Sequence, residues 1–167
     1  MSTFIFLLLQ LSVIAYALVG GVFLAFSDFI MRSLASATGD GGVEAMQTIN
    51  REVFRWVFMT LFLGMAPVSL VIGGYAWLQL SSPAAVLILA AALIYLVGCF
   101  GVTVVFNVPM NEALAGMERT SDATRDYWLA TYVPRWTFWN TVRTVASTAS
   151  AGLLLVGLLW LAQSQGR

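Results

Sequence analysis

The fold of this chain is decided by residues 84–112, AAVLILAAALIYLVGCFGVTVVFNVPMNE. The first part, residues 84–106, carries no charge and is almost entirely apolar. A helix of this length crosses the hydrocarbon core of a bilayer, which needs about 20 apolar residues. The run then reaches two asparagines, Asn107 and Asn111, with Pro109 between them. The stretch therefore predicts a membrane-spanning helix that ends in polar side chains.

Pro109 leaves two local structures open. If the helix continues through Pro109, the carbonyl of Val105 loses its usual N–H donor, and another group must satisfy it inside a membrane. If the helix stops at Asn107, Pro109 can begin a new helix, where its missing N–H costs little.

The whole chain has the composition of a membrane protein. Of its 167 residues, 60% are hydrophobic and only 10% are charged, whereas soluble domains average about 25% charged residues. We expect a single integral membrane domain, residues 1–167, with the lipid bilayer as its partner. The prediction is an all-α, up-down bundle of four transmembrane helices, with amphipathic helical extensions at the loop side. The four spans fall at about residues 3–34, 53–80, 84–107 and 136–162.

The two long loops carry helical patterns of their own. Met46, Ile49 and Val53 recur at helical spacing after a plausible N-cap at Asp40, which predicts an amphipathic helix running directly into the second span. In the other loop, Ser121 or Asp122 is expected to cap a short helix, and Pro134 to begin the fourth span. In the first span, Ala17, Gly21 and Ala25 follow the small-xxx-small spacing that predicts close helix packing.

The composition also excludes several kinds of site. There is no histidine, and Cys99 is the only cysteine. These absences remove the commonest metal ligand, the commonest general base and any internal disulfide, so neither a metal nor a cofactor is predicted. No run of basic residues points to nucleic acid. The oligomeric state is not readable from the sequence.

The arginines predict an orientation in the membrane. In a four-span chain both termini share one side, and the long loops lie on the other. Only Arg167 falls at the terminal side, so the positive-inside rule places the long loops in the cytoplasm and both termini opposite. The loop-side arginines are Arg32, Arg51, Arg55, Arg119, Arg125, Arg135 and Arg143.

Polar residues from four different segments of the chain converge at the same loop-side end. This follows from antiparallel connectivity, nearly independently of packing details. In the fourth span one helical face collects Trp136, Trp139, Asn140 and Arg143. We therefore predict a polar pocket covered by aromatic rings near the loop-side interface. The other convergent residues are Asp28, Asn50, Asn107 and Asn111.

Simpler interpretations of the same residues remain open. Polar side chains near helix ends often solvate the interface or join helices. The aromatic face of the fourth span is also typical of an interfacial aromatic belt with a snorkelling arginine. Asp28 and Arg32, four residues apart, can form a surface ion pair.

Four segments resemble the anthrone oxygenase-like family of small four-helix integral membrane proteins, most of them uncharacterised bacterial members. They are GGVFLAFSDFIM (20–31), AMQTINR (45–51), YLVGCFGVTVVFNVPMNEAL (95–114) and WLATYVPRWTFWNTVR (128–143). A few members oxidise an anthrone to an anthraquinone without metal or flavin. The resemblance thus implies a bacterial inner-membrane location and a hydrophobic aromatic substrate. The family's recurring polar positions correspond to Asn50, Asn107, Asn111, Trp136, Asn140 and Arg143.

The resemblance suggests roles for the convergent residues. An anthrone enolate reacts with oxygen directly, so the protein needs donors for the oxyanion and a base. Asn107, Asn111 and Arg143 are the candidate donors, and Asp28 is the candidate base. The substrate-binding residues are then Asn50, Trp136, Trp139 and Asn140. The alternative function is a non-enzymatic binding or scaffold protein, or a small transporter. A transporter is disfavoured because no carboxylate lies in mid-span.

Overall fold

The computed structural model describes residues 2–165, and within this range the chain forms five helices and no strand. All but α2 are long and apolar enough to cross a membrane. The predicted all-α membrane fold with four long helices is confirmed. The helices are α1 (Thr3–Ala35), α2 (Gly41–Glu52), α3 (Trp56–Gln79), α4 (Pro83–Ala115) and α5 (Asp122–Ser164).

The four long helices pack as a closed bundle around an apolar core. Helix α5 contacts α1 and α4, and α3 closes the bundle against α4 and α1. Each long helix contributes a fully buried side chain, namely Tyr16, Ile72, Ile88 and Leu154. The loop side carries α2 and the connection at residues 116–121, whereas α3 and α4 are joined at the other end by a short turn.

Helices α1 and α5 approach closely, but not through the residues expected. Ala17 and Gly21 are exposed, and a Cβ on Gly21 would meet nothing within 4 Å. The neighbouring Gly20 makes the approach instead, because a Cβ there would lie 3.2 Å from the Thr148 hydroxyl. Within this chain, the face of Ala17 and Gly21 is therefore not the one that packs on α5; the contact is made one residue earlier, at Gly20. Spacing identifies a face of a helix but not which face meets a neighbour.

Helix α2 does not run into α3, which corrects the expectation of a continuous helix. It ends at Glu52, and residues 53–55 separate it from α3. Trp56 has φ 44°, a left-handed conformation that is rare for a large side chain. Asp40 occupies the N-cap position of α2, but its side chain makes no capping hydrogen bond.

Side-chain contacts hold α2 on the end of the bundle. Gln47 Nε2 donates to the carbonyl of Leu114 at 2.8 Å, and Glu44 pairs with Arg119. Gly42 packs directly on the backbone of α1, since a Cβ there would lie 2.1 Å from the Leu34 carbonyl oxygen. The chain thus positions an amphipathic helix across the polar end of the bundle.

Helices α4 and α5 each continue through a proline near the loop-side end of the bundle. The sequence left two local structures open at Pro109, and the continuous helix is the one observed. Pro134 lies inside α5 rather than at its start. The cap at Ser121 therefore begins one long helix, with Ser121 Oγ accepting from the Thr124 N–H at 3.2 Å. This corrects the expectation of a separate short helix.

A π-helical turn precedes each of these prolines by two residues. The turns span Thr103–Asn107 and Trp128–Tyr132, with i→i+5 bonds from Val108 to Thr103 and from Val133 to Trp128. A proline ring crowds the carbonyl four residues before it, and a wider turn gives that carbonyl room. Both turns lie at the loop-side end, among the predicted site residues.

Arg167 is the one arginine that the sequence places at the terminal side of the membrane. It lies outside the described residues.

Candidate functional site

Three aromatic rings of α5 stack along one face at the loop-side end. The rings of Trp128 and Tyr132 are 5.3 Å apart and inclined by 21°, and those of Tyr132 and Trp136 are 6.2 Å apart and inclined by 18°. The three residues are buried, and Tyr132 is 0% exposed. They belong to a second apolar cluster that includes Met46 of α2. These rings therefore line the interior of the fold rather than its surface.

Asn111 joins two of these rings to α4. Its Oδ1 accepts from the Tyr132 hydroxyl at 2.7 Å and from the Trp136 Nε1–H at 2.8 Å. Asn50 of α2 donates to the same Tyr132 hydroxyl at 3.3 Å. Because Oδ1 takes both donors, the orientation of the Asn111 amide is defined, and its NH₂ group is left as the end that can donate to a ligand.

Arg143 is a buried cation held by neutral partners. It is 4% exposed, and it donates from Nη2 to Asn140 Oδ1 at 2.7 Å and from Nη1 to Thr103 Oγ1 at 3.2 Å. Its Cζ lies 4.1 Å from the centre of the Phe23 ring and 5.2 Å from that of Trp136. Cation–π contacts of this kind compensate a desolvated guanidinium only in part.

The charge of Arg143 has no carboxylate partner among residues 2–165. The ion pairs in that range join Arg32 to Asp28, Arg55 to Glu52 and Arg119 to Glu44. The Nε–H of Arg143 is buried and has no hydrogen-bond acceptor. A buried polar group without a partner is rare enough in proteins to indicate a ligand, an unseen water or a functional role.

Two further asparagines brace the helices behind this arginine. Asn140 is 0% exposed, and its Nδ2 donates at 2.6 Å both to the Phe23 carbonyl and to Ser27 Oγ of α1. Asn107 Nδ2 donates to the Trp136 carbonyl at 3.3 Å, and its Oδ1 is buried without a partner. These bonds tie α1 and α4 to α5.

A cavity opens between all five helices at this end of the bundle. Its enclosed volume is about 90 Å³. The volume is about 600 Å³ when the solvent-filled space at its open mouth is included. The polar side chains that line it are Asn50, Thr103, Asn111, Trp136 and Arg143. Its apolar walls include Phe23, Phe26, Met46, Phe58, Met59 and Phe62, and Phe54 of the α2–α3 connection lies at its edge. An aromatic slot with a few convergent donors is the usual composition of a small-molecule site.

The structure brings most of the expected site residues together. Asn50, Asn111, Trp136 and Arg143 line the cavity. Asn107 and Asn140 do not line it but are buried where they hold its walls.

Asp28 and Trp139 are not placed with the others. The Asp28 side chain is 68% exposed and lies 3.5 Å from the Arg32 guanidinium, in a surface ion pair. Trp139 stacks on Phe106, with ring centres 3.6 Å apart and an angle of 5°. Neither residue lines the cavity, although Trp139 shares a helical face with Trp136 and Arg143; its indole lies against Phe106 instead.

Sequence reasoning missed three contributors to the site. Thr103 lies in an unbroken apolar run and gave no signal. Phe23, under the guanidinium, looks like any other membrane-span phenylalanine. Tyr132 was not among the predicted site residues, although its spacing of four from both Trp128 and Trp136 could have indicated the stacked face.

A comparison with known protein families finds a match that covers most of the residues described above. A family model described as anthrone oxygenase matches residues 54–153. The matched range contains Asn107, Asn111, Trp136, Asn140 and Arg143, whereas Asn50 and helix α1 lie outside it. Neither the curated proteins nor the solved structures give a significant match.

Proposed function

The chain belongs to the anthrone oxygenase family, and from that membership we propose that it is a cofactor-independent oxygenase of an anthrone-like aromatic substrate. The observation that carries the proposal is the position of Arg143. A buried guanidinium with an unused N–H lines a cavity whose walls are aromatic. Aromatic walls are chemically suited to the faces of a flat ring system, and a buried cation is suited to its oxygen.

The proposed reaction converts an anthrone and O₂ into an anthraquinone and water. Loss of a proton from the ring CH₂ leaves an electron pair delocalised onto the carbonyl oxygen. That carbon then forms a bond to O₂, and the resulting peroxide takes up a proton. Finally the O–O bond breaks, the second hydrogen leaves the same carbon, and the distal oxygen departs as water. O₂ is the only oxidant required, and the organic substrate supplies the electrons.

Arg143 and Asn111 are suited to the enolate oxygen. Donors aimed at developing negative charge in a water-excluded site are often the largest contribution to catalysis. Arg143 offers its Nε–H, and Asn111 offers the NH₂ left over when its Oδ1 accepts from Tyr132 and Trp136. We do not assign the base to Asp28, because its side chain is exposed and lies outside the cavity.

We propose a bacterial inner-membrane location with the long loops in the cytoplasm. The support is the concentration of arginines on the loop side, with Arg51, Arg119 and Arg125 all exposed there. A cysteine introduced at Ser121, in a variant whose Cys99 is replaced by serine, tests this in intact cells. Labelling by an impermeant maleimide before lysis would contradict the orientation, and labelling only after lysis supports it.

The oxygenase proposal is tested with purified protein, an anthrone and O₂. Wild type should form anthraquinone faster than empty detergent micelles, and the Asn107→Ala/Arg143→Ala double variant should lose most of that excess rate. If wild type is no faster than the folded double variant, the proposal fails.

A binding protein without turnover is the second candidate, because neither a carboxylate nor a histidine lines the cavity. Such a cavity can hold an aromatic ligand yet lack a group to remove its proton. Saturable binding of an anthrone, with no oxygen consumption above that of empty micelles, would favour this alternative.

A further inference from the structure

We propose that the cavity selects the ionised form of its ligand, so that the substrate binds as a phenolate or enolate with Arg143 as its counter-ion. This inference rests on the proposed function for the flat aromatic class of the ligand. The anionic state follows from charge and burial within the fold.

Arg143 carries an unbalanced positive charge. A guanidinium stays protonated in proteins, and Arg143 is 4% exposed. Its hydrogen-bond acceptors, Asn140 and Thr103, are neutral. A buried cation with only neutral partners leaves a large desolvation cost uncompensated, and an anion beside it removes much of that cost.

Arg143 also has an unpaired donor. Arg143 uses one N–H on each terminal nitrogen, while its Nε–H is buried and unused. Because Arg143 lines the cavity, the positive charge of its guanidinium acts on a ligand oxygen held there. An anionic oxygen is preferred over a neutral one, because only the anion adds Coulomb attraction to the guanidinium charge in a site of low dielectric.

The described side chains of the cavity include no proton acceptor. The chain has no histidine, and no carboxylate among residues 2–164 lines the cavity walls. On the neighbouring helices, Asp28 of α1 and Glu52 of α2 are exposed and paired with arginines, and Glu112 of α4 is exposed. The Tyr132 hydroxyl already donates to Asn111.

Because no cavity side chain is available to take the proton, we place its loss to water before the ligand enters. The O–H or C–H bond of the ligand therefore breaks outside, the proton goes to solvent, and the electron pair remains delocalised on the ring system. The substrate class is then narrower than an anthrone in general. It comprises polycyclic aromatics with an enol or phenol acidic enough to ionise in water near neutral pH.

The probe pair for this inference is 2-hydroxyanthraquinone and 2-methoxyanthraquinone. Both are flat and already oxidised, but only the hydroxy compound can ionise. Binding is measured by quenching of tryptophan fluorescence in neutral detergent micelles under nitrogen, at a pH where the free phenol is ionised. Wild type should bind the hydroxy compound about 10- to 100-fold more tightly than the methoxy compound. Equal affinity would overturn the inference.

Two variants assign the preference to Arg143. Arg143→Gln should bring the two affinities to within about threefold, whereas Arg143→Lys should keep part of the preference because its charge remains. Arg125→Gln changes the net charge equally at an exposed loop position and should keep the full preference. A preference that survives in Arg143→Gln contradicts the inference. If that variant does not fold, the Arg143→Lys result and the wild-type ligand pair still decide it.

The result separates this inference from the oxygenase proposal. Anion preference without anthrone turnover retains the counter-ion role and rejects the enzyme. Turnover with equal affinity for both probes retains the enzyme and rejects the counter-ion role.

Discussion

The indole Nε1 of Trp136 donates a 2.8 Å hydrogen bond to Oδ1 of Asn111, which joins α5 to α4 at the wall of the cavity. The same oxygen also accepts from the Tyr132 hydroxyl at 2.7 Å. One side-chain amide thus holds two stacked aromatic rings in place. The sequence suggested that Asn111 is the polar end of a membrane span. In the structure its side chain holds the wall of the cavity together.

Replacing Asn111 with leucine should destabilise the fold, because two buried donors, Tyr132 OH and Trp136 Nε1–H, lose their acceptor. An unsatisfied buried donor costs about 1–3 kcal/mol, so the loss should be about 2–4 kcal/mol. Thermal unfolding in detergent measures it. Glu112→Gln, at the next and exposed position, is the control and should unfold at the wild-type temperature. Equal unfolding temperatures for the two variants would contradict this structural role of Asn111.

Asn111→Asp should keep the fold but weaken the binding of anionic ligands. Aspartate retains an acceptor oxygen for Tyr132 and Trp136, yet it adds negative charge to the cavity that contains Arg143. An internal carboxylate competes with the ligand for the guanidinium, so affinity for an aromatic anion should fall at least tenfold. Fluorescence titration gives the affinity, and circular dichroism checks the fold. Unchanged anion affinity in a folded variant would argue against Arg143 as the ligand's partner.

Gly42→Ala should detach α2 from the end of α1. The added Cβ would lie 2.1 Å from the backbone carbonyl oxygen of Leu34, and a backbone atom cannot rotate away. Overpacking of this kind costs about 1–3 kcal/mol. Gly64→Ala is the matched control, because a Cβ there meets nothing within 4 Å. Thermal unfolding and protease sensitivity of residues 37–55 should change in the first variant only. A Gly42→Ala protein as stable as Gly64→Ala would show that α2 is not docked this way.

Tyr132→Phe should affect the site more than the fold. The hydroxyl donates to Asn111 and accepts from Asn50, and the ring remains stacked after its removal. We expect a stability loss of about 1 kcal/mol together with a clear fall in anthrone turnover, since the Asn111 amide loses one of its two anchors. Tyr75→Phe is the control, at a half-buried position of α3. Wild-type turnover in Tyr132→Phe would show that the Tyr132 hydroxyl is not needed for the reaction.

Trp139→Phe should leave ligand affinity and turnover at wild-type levels. Its indole stacks on Phe106 and does not line the cavity, although the sequence pattern assigned it to the substrate. Trp136→Phe should weaken both, because Trp136 lines the cavity and bonds to Asn111. The two variants are compared by the same titration and the same rate assay. A larger loss in Trp139→Phe than in Trp136→Phe would restore the original assignment.

The fold could be predicted because a bilayer imposes strong local constraints. An apolar run such as residues 84–106 must form a helix in lipid, since no water satisfies its backbone. Antiparallel connectivity then brings Asn50, Asn111 and Arg143 to one end whatever the packing details. These inferences need only the order and polarity of the segments.

The parts that sequence could not supply depend on rotation about helix axes and on local backbone geometry. Asp28 shares an end with Arg143, but packing turns it to the surface. Gly20 rather than Gly21 meets α5 for the same reason. The π-helical turn before Pro134 keeps α5 continuous where a proline more often breaks or begins a helix. Such choices are decided by tertiary contacts, which no single-segment pattern contains.

The most direct measurement is the initial rate of anthraquinone formation from an anthrone at saturating O₂, compared among wild type, Arg143→Gln and Arg125→Gln in the same detergent. Wild type should exceed empty micelles, and Arg125→Gln should match it. Arg143→Gln should lose about 100-fold or more of the excess rate, as expected for removal of one preorganised oxyanion donor. A wild-type rate no higher than that of empty micelles, or an unchanged rate in folded Arg143→Gln, would contradict an oxygenase built around this cavity.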